Sequence, residues 1–223
     1  SAGEIEDVLY ASRGIWTEER VMKQKGKFVA SLLFALCIAG AGSAQAGMIT
    51  YDTWATNENG TGNYIFTVDD EVSGKFNYSL TVHPWNAEAF GVFIDFGSKA
   101  TGGGALNLAG DSSVSLEGRD TTDSVCGPPS CNISGLSIPG FDGTWGLIFG
   151  LGTQGFNGIQ TFSWSTTDFG LSLSDFGVVA IRAQQLCADG SLLPDNENSC
   201  GGSDKAYGYS TVSVPEPGTL ALL

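Results

Sequence analysis

The chain has few basic residues. Only 10 of its 223 residues are lysine or arginine, against 24 acidic residues, so the formal net charge is -14 at pH 7. The bases and acids of the first 46 residues cancel, which assigns the whole negative charge to the rest of the chain. Such a surface repels phosphate backbones and has no basic patch for anionic lipid. The composition therefore argues against nucleic acid as a partner.

Residues that form common catalytic centres are also scarce. His83 is the one histidine, and no Gly-x-Ser-x-Gly motif accompanies it, so a Ser-His-acid hydrolase is not indicated. Asp-Phe-Gly occurs at Asp168 and Asp175, but the glycine-rich loop, strand lysine and catalytic loop of a kinase are missing. Glycoside hydrolysis needs two facing carboxylates, and the many acids single out no such pair. We expect a protein that is not an enzyme.

An amino-terminal export signal begins inside the chain, at Met22. Three lysines follow within five residues, residues 28–38 are apolar, and Ala44-Gln45-Ala46 has the A-x-A form of a cleavage site. We assign residues 22–46 to a signal-peptide helix whose removal between Ala46 and Gly47 leaves Gly47 as the mature N-terminus. A buried core helix is disfavoured because the apolar run is short and led by lysines. Residues 1–21 are interpreted as translated upstream DNA that the natural protein lacks.

Beyond Gly47 the hydrophobic residues have the period of β-strands. Residues 75–82 alternate without a break, with Phe76, Tyr78, Leu80 and Val82 apolar. Residues 90–96 repeat the pattern, which predicts that Phe90, Val92 and Ile94 share one face of a strand. Further strand-like runs cover residues 48–54, 64–68, 145–151, 159–165, 176–183 and 207–214, and residues 97–110 are predicted to be a long loop or weak edge strand. The pattern predicts an all-β single domain over residues 47–213, an antiparallel β-sandwich or jelly-roll-like fold.

Cysteine usage agrees with export. Cys37 leaves with the signal peptide, and Cys126, Cys131, Cys187 and Cys200 remain, an even number that suits an oxidising compartment. Four cysteines allow three pairings. Turn-forming residues between neighbouring cysteines favour Cys126 with Cys131 and Cys187 with Cys200. A four-cysteine zinc site is the rival, but the second pair is spaced too widely for it.

Acidic and amide residues inside and just after the second cysteine pair form a candidate calcium site. The carboxylates in question belong to Asp189, Asp195, Glu197 and Asp204. Calcium takes six to eight oxygen ligands, which such a loop could supply from side chains and main chain. The spacing does not match an EF-hand loop, and a solvated acidic loop is the competing interpretation. No other cofactor is indicated.

Trp85 is the candidate for contact with a glycan. It follows His83-Pro84 at the end of an amphipathic strand, beside Asn86 and Glu88, where its ring could project towards a sugar. The competing interpretation is a ring folded over the end of the sandwich. Trp54 and Trp164 are predicted to be core residues, because they lie in apolar or Ser/Thr-rich strands.

The last ten residues, 214–223, contain Pro215-Glu216-Pro217 followed by a short apolar run. Both prolines fix φ and push the preceding residue towards extended backbone, so Glu216 is predicted to be part of a stiff, exposed handle. This tail resembles the C-terminal sorting signal of PEP-CTERM proteins, in which the tripeptide precedes a membrane helix. The resemblance implies exosortase as a partner and transient anchoring in the membrane. Only residues 220–223 of the apolar segment are present, whereas about 20 residues span a bilayer, so we interpret the tail as truncated.

The resemblance to PEP-CTERM proteins extends more loosely to the glycine-rich β domain that precedes the tail. It implies display at the cell surface, or release into the biofilm matrix, of a Gram-negative bacterium that makes exopolysaccharide. We therefore expect an exported, non-catalytic structural or glycan-associated protein, with exopolysaccharide as a candidate partner. The alternative is a secreted carbohydrate-binding or calcium-dependent adhesion module, and a cryptic hydrolase is third.

Overall fold

The domain is built from strands, as the alternation predicts. A computed structural model describes residues 47–58, 60–187, 190–193 and 200–213. One short 3₁₀ helix, Leu173–Asp175, is the only helix among these residues. The strands are β1 (Met48–Tyr51), β2 (Ala55–Thr56), β3 (Tyr64–Asp69), β4 (Lys75–Val82), β5 (Glu88–Ile94), β6 (Ala109–Gly110), β7 (Val114–Thr121), β8 (Trp145–Leu151), β9 (Thr161–Thr167), β10 (Val178–Leu186), β11 (Gly202–Tyr209) and β12 (Thr211–Ser213).

These strands form two antiparallel sheets that share one core. The first sheet has the order β12-β1-β3-β4-β9-β6, and the second has the order β2-β11-β10-β5-β8-β7. Buried side chains from both sheets belong to a single hydrophobic cluster between them. The predicted β-sandwich is therefore confirmed. The assigned signal peptide, residues 22–46, the upstream residues 1–21 and the tail 214–223 lie outside the described residues.

The first sheet buries one face and exposes the other. In β4 the side chains of Phe76, Tyr78, Leu80 and Val82 are buried, and those between them are at least partly exposed. The core side of this sheet is rich in aromatic rings, and the ring of Tyr78 stacks on that of Trp164 with 5.3 Å between centroids. Since successive side chains of a strand point to opposite faces, the outer face presents mainly polar side chains, with Met48 and Ile65 as its exposed apolar exceptions.

The central strands β5 and β8 of the second sheet are buried on both faces, because residues 122–144 fold back over its outer side. Every residue of β5 and β8 is buried. The disulfide Cys126–Cys131 lies in this covering segment, and its sulfurs pack in a second hydrophobic cluster. That cluster also contains Phe90, Phe93, Ile133, Trp145, Ile148, Val178 and Ala180. The protein thus has a main core between the sheets and a smaller one outside the second sheet.

The prediction that Phe90 shares a face with Val92 and Ile94 is wrong. Val92 and Ile94 face the main core, whereas Phe90 belongs to the outer cluster. The cause is a register shift in the pairing of β5 with β10, where Arg182 pairs with Gly91 and Ala183 pairs with Ala89. Phe90 is the extra residue, and a bulge of this kind reverses the alternation on one side of it.

The loop before β6 is held in place by Arg119. Its side chain donates hydrogen bonds to Thr101 Oγ1 (2.5 Å), the Thr101 carbonyl (3.0 Å) and the Gly104 carbonyl (2.6 Å). The guanidinium also lies 4.8 Å from the centre of the Phe169 ring, within the range of a cation–π contact. As predicted, residues 97–110 are mainly loop, with a two-residue edge strand at the end.

Candidate functional site

A continuous row of hydroxyl side chains crosses the outer face of the first sheet. Thr50 on β1 pairs with Thr211 on β12 and with Thr67 on β3. Thr67 then pairs with Ser79 on β4, and Ser79 pairs with Ser163 on β9. Directly opposed residues on one face lie about 5 Å apart. We call Thr211, Thr50, Thr67, Ser79 and Ser163 the hydroxyl row.

A groove lies along one end of the hydroxyl row. It is open to solvent and has a volume of about 380 Å³. It is lined by β6 and by Asp69, Asn77, Tyr78, Ser79, Ser163, Trp164 and Ser165. Asn77 pairs with both Asp69 and Ser165, so a second polar row runs beside the first. Asn77 Nδ2 donates to Asp69 Oδ1 at 2.7 Å, which fixes the orientation of this carboxylate.

The wall of the groove is formed by β6, which approaches β9 unusually closely. Gly110 has φ of 122°, and a Cβ there would lie 2.5 Å from the Ser163 carbonyl oxygen and 2.6 Å from Trp164 Cα. Only glycine fits this approach. Asp111 adds two bonds, because its Oδ2 accepts the Ser163 N–H (2.6 Å) and its own N–H donates to the Ser163 carbonyl (2.9 Å). The backbone of the wall is therefore fixed.

The chemistry of this face is mostly neutral and can hydrogen-bond in both directions. A hydroxyl has one donor and two acceptor positions, and an amide side chain has both kinds of group. Asp69 is the single charged side chain that lines the groove. Among the described residues, no group of three His, Cys, Asp or Glu side chains is placed to hold a metal ion. The face therefore suits an uncharged ligand with many hydroxyl groups.

Alternation alone identifies Asn77, Ser79 and Thr81 as outward-facing, but not the row or the groove. Both depend on which strands become neighbours and in which register. A run of polar residues at every second position in several strands was the available signal, and it is common to many exposed sheets.

Trp85 covers one end of the sandwich, as the competing interpretation predicted. Its ring is half-buried, stacks on Phe156 with 5.8 Å between centroids, and packs against the cluster of Cys187, Leu193 and Cys200. Its Nε1 is enclosed and has no hydrogen-bond partner among the described residues. The polar edge of the indole is thus turned away from solvent, which makes Trp85 a weaker candidate for glycan contact than the hydroxyl row.

Asp204 lies in the interior and not on an acidic loop. Its carboxylate accepts hydrogen bonds from the Thr56 hydroxyl (2.9 Å), the Gly62 N–H (3.0 Å) and the Tyr64 hydroxyl (2.9 Å). The side chain is fully buried, and burial together with this negative charge raises the pKa of Tyr64 well above its ordinary value. Asp204 is therefore a structural residue that ties β2 and β3 to β11. The other calcium candidates, Asp189, Asp195 and Glu197, lie outside the described residues.

Glu88 is a second buried carboxylate, and the sequence did not single it out. Both of its oxygens accept the N–H of Asn157 at 2.9 Å, and Oε1 also accepts the N–H of Gly158 at 2.9 Å. It thereby anchors the loop between β8 and β9. An acidic residue at the start of a strand is normally solvated, so the sequence gives no signal of this role.

Both favoured disulfides are present. Cys126 is bonded to Cys131, and Cys187 is bonded to Cys200. Gly47 immediately precedes β1, whereas Ala46 and the sorting motif Pro215, Glu216 and Pro217 lie outside the described residues.

No protein family, curated protein or solved structure matches this chain. Within the described residues, no helix is both long and apolar enough to cross a membrane.

Proposed function

We propose that this is an exported cell-surface or biofilm-matrix protein of a Gram-negative bacterium. It is sorted by exosortase through Pro215-Glu216-Pro217, has no catalytic role, and associates with neutral polysaccharide through the hydroxyl row. The registered row of five hydroxyl residues across five strands is the observation that carries the binding part of this proposal.

Export is supported by the disulfides together with the pattern of residues 22–46. Stable disulfides belong mainly to secreted, periplasmic and surface proteins, because cytosolic thiols are kept reduced. Here one disulfide packs inside the outer core and the other inside the cluster beneath Trp85. Two separate parts of the fold therefore depend on an oxidising compartment.

Association with a neutral polymer follows from the regular spacing of the hydroxyl row. Neighbouring strands lie about 4.8 Å apart, so the row repeats a donor and acceptor at that interval. A polysaccharide also repeats its hydroxyl groups at a constant interval, and many weak contacts along one chain add up. The negative charge of the protein disfavours an anionic polymer, since like charges repel.

Export is tested by expressing the gene in an exopolysaccharide-producing Gram-negative host that has exosortase. The protein should be found outside the cytoplasm, with a mature N-terminus at Gly47 and four cysteines that resist alkylation. Changing Pro215 and Pro217 to alanine should retain the protein in the membrane or periplasm without changing its disulfides. Cytosolic protein with four free thiols would contradict the proposal.

Binding is tested by affinity electrophoresis in gels that contain dextran or hydroxyethylcellulose, with alginate as the anionic comparison. The wild-type protein should be retarded by at least one neutral polymer, and Ser79→Arg should abolish this because its side chain fills the groove. Ser137→Arg is the matched control, since Ser137 is exposed in the segment that covers the other sheet. The binding surface would be refuted if the two variants were retarded equally, or if no neutral polymer retarded the wild-type protein.

A further inference from the structure

Asp70 forms hydrogen bonds with both the backbone nitrogen and the backbone carbonyl of Gly47. The Gly47 nitrogen donates to Asp70 Oδ1 at 2.6 Å, and the Asp70 nitrogen donates to the Gly47 carbonyl at 3.3 Å. Both residues are half-buried. This pair comes directly before the first register pair of β1 with β3, Met48 with Asp69. A carboxylate is thus already in place at the predicted cleavage point.

We infer that Asp70 is the counter-ion of the ammonium group that signal-peptide cleavage creates at Gly47. This inference rests on the proposed export. Hydrolysis adds one water across the Ala46–Gly47 peptide bond, leaving a carboxylate on Ala46 and an amine on Gly47 that takes up a proton at neutral pH. The nitrogen that donates a neutral amide hydrogen before cleavage becomes a cation afterwards, opposite the same Asp70 oxygen.

The change strengthens an existing contact and requires no rearrangement of Asp70. The bond to the Asp70 carboxylate is already charge-assisted before cleavage, and the ammonium group adds the attraction between two opposite charges. A Cβ at position 47 would lie 2.9 Å from Leu173 Cδ1, so a larger residue would displace this side chain. Glycine therefore leaves Leu173 in place beside the half-buried terminus.

The ion pair lies beside the strand that leads into the sorting tail. Met48 pairs with Asp69 on one side and with Ser213, the last residue of β12, on the other. Removal of the signal peptide therefore stabilises β1, the strand that connects β12 to the rest of the first sheet. Maturation at the N-terminus thus stabilises the strand that pairs with β12.

The test uses the chain from Gly47 to Leu223, released from a cleavable amino-terminal fusion so that export is not required. The pKa of the Gly47 α-amine, followed by NMR, should lie above the ordinary value of about 8. In Asp70→Asn the pKa of the amine should return towards the ordinary value. Glu71→Gln is the control, because it removes a neighbouring exposed charge, and it should leave the pKa of the amine raised. A pKa one unit higher means about tenfold slower acylation of the amine at pH 8.

A second chain that keeps residues 44–46 provides a comparison with Asp70 intact, in case Asp70→Asn does not fold. Its α-amine should have an ordinary pKa, and its melting temperature should be lower than that of the chain starting at Gly47. The amine pKa is raised by folding, so this advantage should be present below about pH 8 and be lost as the pH rises through the raised value. An ordinary pKa of the Gly47 amine in the mature chain would refute the ion pair. Cleavage elsewhere than Ala46 during export would instead refute its role in maturation.

Discussion

Replacing Tyr64 by phenylalanine removes one hydroxyl from the interior and leaves the aromatic ring in place. Tyr64 is 1% exposed, and its hydroxyl donates to the fully buried carboxylate of Asp204 at 2.9 Å. The substitution leaves Asp204 with two donors, the Thr56 hydroxyl and the Gly62 N–H. It therefore tests how much one bond to a buried carboxylate contributes to stability.

The expected cost is about 2 kcal/mol in the free energy of unfolding, because a hydrogen bond to a charged group contributes about 1.5–3 kcal/mol. Tyr78→Phe is the matched control. The Tyr78 hydroxyl is also buried, but its partner at 3.0 Å is the neutral hydroxyl of Thr166. A neutral bond contributes about 1 kcal/mol, so Tyr64→Phe should cost about 1 kcal/mol more than Tyr78→Phe.

Urea unfolding at pH 7, followed by circular dichroism, measures both differences. Adding Asp204→Asn should lower the effect of Tyr64→Phe to that of a neutral bond, which a double-mutant cycle resolves. If Tyr64→Phe costs no more than Tyr78→Phe, the carboxylate does not depend on this donor. The reasoning that a bond to this buried carboxylate is stronger than a neutral bond would then be refuted.

Two further predictions concern the second sheet. Gly91→Ala should destabilise the protein by about 2 kcal/mol, because the added Cβ would lie 2.2 Å from Cys126 Sγ. Gly103→Ala is the control, since a Cβ there meets open space, and it should change the midpoint of urea unfolding little. Burial raises the pKa of Asp95 despite the N–H donors of Gly97 and Val178. A carboxyl group with a higher pKa in the folded state stabilises the fold at pH values below its unfolded-state pKa of about 4. This stabilisation is lost as the pH rises through the folded-state pKa. Asp95→Asn should therefore gain stability relative to wild type between pH 4 and pH 7, and a difference independent of pH would contradict this.

Several features of the fold could be predicted because they depend on neighbouring residues. The alternation in residues 75–82 gives the buried and exposed sides of β4, and the turn-rich segments favour the two short disulfide loops. The misplacement of Phe90 shows the limit of this approach. One extra residue reverses the alternation, and that bulge is visible only in the pairing of β5 with β10.

The sequence by itself determined the strand content, the charge and the polar half of each strand, since side-chain alternation is encoded at every second residue. Tertiary structure decided that residues 122–144 cover the second sheet and leave the first exposed. It also paired β4 with β9 so that Ser79 lies opposite Ser163, which completes the hydroxyl row. The reason is that register between distant strands is set by packing of the whole core, and no local pattern specifies it.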